Sequence, residues 1–126
     1  MSQQLELQLF EADDKTHRLN FVTPAEGYTF EADDISRLIA TLAQSRAQML
    51  PPVQVEDVVV TGMQNVADDP RVLWAYDEMS DKAALVLRHP GYGWIGYALS
   101  FETVEALQAG LQTIVEHRNA QRRAMS

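Results

Sequence analysis

The residue types best suited to chemistry fall together in one stretch, Arg88-His89-Pro90-Gly91-Tyr92-Gly93-Trp94-Ile95-Gly96-Tyr97. It sets a guanidinium and an imidazole beside three aromatic rings. A histidine titrates near neutral pH, so His89 suits an acid, a base or an anion contact, and Arg88 suits an anion. Pro90 presets φ for the second position of a turn. Gly91 can take the positive φ that a type II turn requires next, so His89 to Tyr92 reads as the reversal of a hairpin. Arg88, His89, Tyr92 and Trp94 are therefore the candidate ligand- or partner-binding residues. The competing reading is that His89 only caps the turn and the rings only fill a core.

Other patterns point away from familiar reactions. Gly91, Gly93 and Gly96 spell Gly-x-Gly-x-x-Gly, but a dinucleotide fingerprint must lie between a strand and a helix, and these glycines lead into a strand. The chain lacks a phosphate-cradling glycine loop, a Gly-x-Ser-x-Gly elbow and a His-Glu-x-x-His pair. It also lacks cysteine, which excludes a thiol nucleophile, a thiolate metal site and a disulfide framework. His17, His89 and His117 share no metal-ligand spacing. The pairs Asp13-Asp14, Asp33-Asp34 and Asp68-Asp69 do not provide the alternating oxygen ligands and central glycine of a calcium loop. No metal and no cofactor is expected.

Charge is uneven. The chain of 126 residues carries a net charge of −8. Residues 1–81 hold 15 acidic and 5 basic residues, and residues 82–126 hold 3 and 5. An acidic surface repels phosphate backbones, so nucleic acid is not an expected partner. No apolar run approaches the roughly 20 residues of a membrane span, and Met1 to Glu6 lacks the basic and apolar regions of a signal peptide, so the expected location is cytoplasmic. With 46% hydrophobic and 22% charged residues, the composition is that of a globular chain.

Elements to position these residues can be read in order. Leu5, Leu7 and Leu9 alternate with polar or outward residues, Asp13-Asp14-Lys15 breaks the pattern, and Leu19 and Phe21 resume it: a hairpin. Ile35, Leu38, Ile39, Leu42 and Met49 form one stripe of a helix over 32–49, with Asp33 placed to pair with Arg37 and Pro51-Pro52 as its stop. Residues 53–70 read as a connector containing at most one edge strand, near 53–60. A three-stranded meander follows at 72–76, 83–88 and 94–99, with the run apolar on both faces, 83–88, in the centre. Ser100 caps a second helix over 100–118 carrying Val104, Leu107, Leu111, Ile114 and Val115, and residues 121–126 read as a frayed tail.

The expected fold is α+β, in the order ββα-(β)-βββα, an antiparallel sheet of hairpin plus meander with two amphipathic helices over one face. It is expected as a single domain over 1–120. The pentapeptide Phe-Glu-Ala-Asp-Asp occurs at 10–14 and again at 30–34, but two copies in different contexts do not make a repeat protein. On function, the sequence favours a non-enzymatic acidic protein-binding or adaptor domain, with a homodimer as one form of that association. The alternatives are a small-ligand protein or enzyme with its site at the 88–97 hairpin, and an acidic inhibitor presenting Asp13, Asp14, Asp33 and Asp34 to a basic partner. In size and acidity the chain resembles secretion-chaperone or immunity-type binders, although the chaperone pattern begins with a helix and this one begins with strands.

Overall fold

The computed structural model describes residues 6–126, so the expected strand position of Leu5 lies outside the described residues. They divide into two compact units, 1–66 and 67–126.

In the first unit, β1 (Glu6–Glu11) and β2 (His17–Val22) pair antiparallel, with Leu7 opposite Phe21 and Leu9 opposite Leu19. The turn between them is held by Asp14, whose Oδ1 accepts from the Thr16 amide at 3.1 Å and the Thr16 hydroxyl at 2.6 Å, while Lys15 takes φ 70. Helix α1 (Ala32–Gln48) starts from a backbone amide at Glu31 that donates to Asp34 Oδ2 at 3.0 Å. Arg37 pairs with Asp34 rather than with Asp33, because Asp34 already faces back along the first turn to reach Glu31. A reciprocal pair of bonds ties the hairpin to the end of this helix: the His17 amide donates to the Leu50 carbonyl at 2.7 Å, and the Leu50 amide donates to His17 Nδ1 at 2.6 Å.

The connector contains no strand. Residues 53–60, expected as an edge strand, run irregularly into one 3-10 turn, Val60–Gly62. Val58-Val59-Val60 favours extended backbone, but no neighbouring strand offers it a ladder, and propensity without pairing does not make a strand.

The second unit is built on β3 (Val72–Asp77), β4 (Lys82–His89) and β5 (Gly93–Leu99), in the order β3-β4-β5 with β4 central, as its apolar pattern requires. Hairpin and meander are separate sheets of two and three strands rather than one continuous sheet. The β3–β4 turn is closed by Asp77, which accepts from the Met79 amide at 3.1 Å and the Ser80 hydroxyl at 2.8 Å. Helix α2 (Phe101–Met125) is capped by Ser100, whose Oγ accepts from the Thr103 amide at 3.3 Å. It was expected to end near Arg118 and continues to Met125, because residues 119–125 contain good helix formers and neither glycine nor proline.

Register assigns the faces of the three-stranded sheet. Trp74, Leu85 and Tyr97 lie side by side across it, flanked by Val72, Leu87 and Ile95 and by Tyr76, Ala83 and Leu99, so this face carries no charge. The opposite face sets Leu73, Val86 and Gly96 in one row and Ala75, Ala84 and Ala98 in another. A sheet apolar on both faces calls for a layer on each. The Phe101 ring meets Tyr76 edge-on at 5.7 Å, and Val104 is the one residue of α2 that is not exposed.

Candidate functional site

At the hairpin tip the structure divides the four expected site residues into two pairs. Arg88 stands opposite Trp94 across β4 and β5, and alternation puts His89, opposite Gly93, on the other face. Tyr92 joins His89, with ring centroids 4.6 Å apart and planes tilted by 52°. The tip is thus an Arg88/Trp94 pair and a His89/Tyr92 pair rather than one cluster of four.

His89 has a defined local task. Its Nδ1 accepts from the Gly91 amide at 3.0 Å and from the Tyr92 amide at 3.1 Å. The imidazole nitrogen so takes the place that the His89 carbonyl would hold in a type II turn. Accordingly, Gly91 does not adopt positive φ. The left-handed residue is Gly93, at φ 81, where the chain enters β5. The expected turn type was wrong because backbone rules consider only carbonyl acceptors, whereas here a side chain supplies the acceptor.

Arg88 borders a groove of about 330 Å³ together with Arg71, Pro90 and the loop Ala67 to Pro70, and its amide donates to the Arg71 carbonyl at 3.1 Å. Two guanidinium groups and two aspartates, Asp68 and Asp69, line one opening, so the groove mixes both signs of charge. A larger groove of about 460 Å³ lies in the first unit, between Leu7, Tyr28, Phe30, Arg37 and Leu38. The sequence signal for it was the spacing of Tyr28 and Phe30, whose rings stack at 4.6 Å, just before a helix start. That pair was not singled out in the sequence.

The carboxylates proposed for an acidic inhibitory surface are partly engaged. The hydroxyl and amide of Thr16 hold the Asp14 carboxyl below its ordinary value, and the Glu31 amide with Arg37 does the same for Asp34. Asp77 is lowered by the Ser80 hydroxyl and the Met79 amide. Tyr76 donates its hydroxyl to Asp81 at 2.9 Å, and that bond to the neutral phenol raises its titration. Among the described residues, no three His, Asp or Glu side chains gather in a way that could hold a metal ion, and no helix is long and apolar enough to cross a membrane. No protein-family model matches the chain, and neither the curated proteins nor the solved structures searched give a significant match.

Proposed function

We propose that the chain is a non-enzymatic, acidic, cytoplasmic protein-binding domain whose recognition surface is the uncharged face of the β3-β4-β5 sheet together with the apolar stripe of α2. The observation that carries this reading is Trp74, which is 78% exposed in the middle of that face with Tyr97 beyond it on the same row. Isolated apolar residues on a surface need no explanation, but a contiguous apolar face built on aromatic rings is the anatomy of a protein interface. Aromatic rings are also the side chains that most often dominate binding energy at such interfaces.

The hairpin reading has one observation in its favour, the groove beside Arg71 and Arg88. A small anionic ligand held there would rest on the two guanidinium groups. Against it, His89 is committed to the turn through Nδ1.

Affinity capture from native host extract, with the full chain as bait and mass spectrometry as readout, tests the choice. Trp74→Ser with Tyr97→Ser should lose the captured partner, while Arg88→Ala should keep it. If the sheet variant captures the same proteins as the unaltered chain, or if Arg88→Ala alone removes them, the sheet face is not the recognition surface.

A further inference from the structure

Resting on that protein-binding reading, we infer that the occupant of the apolar surface is a second copy of this chain, joined about a two-fold axis with the two α2 helices antiparallel. Surface area carries the first half of the argument. The chain exposes 11100 Å², whereas a compact monomer of 14.2 kDa exposes about 6800 Å². Even if residues 1–66 and 67–126 are counted as two separately compact bodies, the reference rises only to about 8200 Å². The excess, about 2900 Å² per chain, is independent of how the units are arranged. Two copies covering it would bury about 5800 Å², the scale of obligate assemblies, which run from about 2000 to beyond 5000 Å².

No residue among those described is buried, so the missing element is the core itself and not a patch on a finished core. A core that every molecule needs in order to fold is best supplied by a molecule always present at the same concentration, which is the chain itself. Obligate homodimers behave in this way, with no stable folded monomer.

The helix specifies the orientation. Val104, Leu107, Leu111 and Ile114 follow a 3-4-3 spacing, that of a helix seam rather than of a broad sheet-facing stripe. Exposure along the seam rises from 40% at Leu107 to 52% at Leu111 and 64% at Ile114. Glu102 and Glu105 lie toward the N-terminal end, Arg118, Arg122 and Arg123 toward the C-terminal end. A parallel pair would set like charges level. An antiparallel pair crossing at Leu111 sets Glu105 level with His117 of the other copy and Arg118 level with Val104, so each acidic end meets a basic one. Gly110, beside that crossing point, has no heavy atom within 4 Å of where a β-carbon would stand. Nothing within the chain accounts for a mid-helix glycine, and a crossing helix would use the space.

Sedimentation equilibrium and concentration-dependent thermal melting of the full chain test this. The expected mass is twice 14.2 kDa, with a melting temperature that rises with concentration. Ile114→Glu should weaken the dimer by about a hundredfold or more, since it places a charge in the seam of both copies. Charge exchange keeps the test valid if that variant fails to fold. Glu102→Arg with Glu105→Arg, and separately Arg118→Glu with Arg122→Glu, should each raise the dissociation constant at low salt by on the order of tenfold. The two variants mixed should form a heterodimer, and all four changes in one chain should restore the homodimer. A chain that is monomeric throughout and melts cooperatively at a concentration-independent temperature overturns the inference. So does a dimer indifferent to the charge exchanges, because its helices are not antiparallel across this seam. A monomer that still loses its captured partner on Trp74→Ser with Tyr97→Ser leaves the protein-binding reading standing and removes only the second copy.

Discussion

Two glycines two residues apart, Gly91 and Gly93, should respond in opposite directions to the same substitution. Gly93 sits at φ 81, and a β-carbon there costs roughly 1–2 kcal/mol of backbone strain. Replacing glycine with alanine also narrows the unfolded ensemble, which returns about 0.4–1 kcal/mol. The net for Gly93→Ala is a loss of about 1 kcal/mol. Gly91 carries no such strain, and its added β-carbon would meet only the His89 ring, at 3.5 Å from Cε1 and Nδ1, an ordinary contact. Gly91→Ala should then keep the unfolded-state gain and leave stability unchanged or raised by up to about 1 kcal/mol. Urea titrations at one fixed chain concentration, followed by tryptophan fluorescence, give the midpoints, and unchanged slopes would show that the denatured state is not what moved. The difference between the two variants should be about 1–2 kcal/mol with Gly93→Ala the less stable. If Gly91→Ala proves the more damaging, the hairpin closes through a type II turn after all and the role given to the His89 ring is wrong.

Further outcomes follow from neighbouring contacts. His89→Ala removes the acceptor for two amides, which water can partly replace at an exposed tip, so it should lower stability by about 1 kcal/mol and speed hydrogen exchange at Gly91 and Tyr92; unchanged exchange there would deny the bond. The carboxyls of Asp14, Asp34 and Asp77 titrate below their ordinary value of 3.8, so their contribution is full above about that pH and disappears as acid protonates them in the folded chain. Urea midpoints measured downward from pH 5 should therefore decline below pH 4, and an Asp14→Asn, Asp34→Asn, Asp77→Asn variant should decline less; equal slopes would contradict the assignment. Leu107→Ala should lower stability by about 1–2 kcal/mol when the chain is diluted to a monomer, short of the 2–5 of a fully buried leucine, because the side chain is 40% exposed there. A larger loss on dilution would place Leu107 in a core within the single chain.

What the sequence made legible was whatever depends on local chemistry with one dominant cause. Alternation located β1 and β2, an apolar run placed β4 in the centre, and Ser100 marked the start of α2 because a hydroxyl before an apolar stripe has few other uses. The failures share a different cause. The end of α2 was misplaced because no breaker stands between Arg118 and Met125, and charge alone does not stop a helix. The strand expected at 53–60 needed a partner that the sequence does not reveal. At the candidate site, the identities of Arg88, His89, Tyr92 and Trp94 were legible, but their division between two faces depends on register, which turn geometry fixes. The acceptor roles of His17 and His89 were not legible at all, because an imidazole that serves a backbone amide leaves no mark in spacing.

The reciprocal bonds between His17 and Leu50 have a kinetic consequence for the first unit. They join positions 33 residues apart, so the intervening chain, with half the hairpin and the whole of α1, is a closed ring. Closing such a ring carries an entropic penalty of about 3 kcal/mol, (3/2)RT ln n for its length, that must be met before either bond forms. Once closed, the last turn of α1 cannot fray by itself, since releasing Leu50 also releases the first residue of β2. Helix end and strand start become one cooperative unit of opening, and the Leu50 amide, beside a chain terminus of the helix where rapid exchange would be the rule, should exchange with the same protection as the middle of the hairpin.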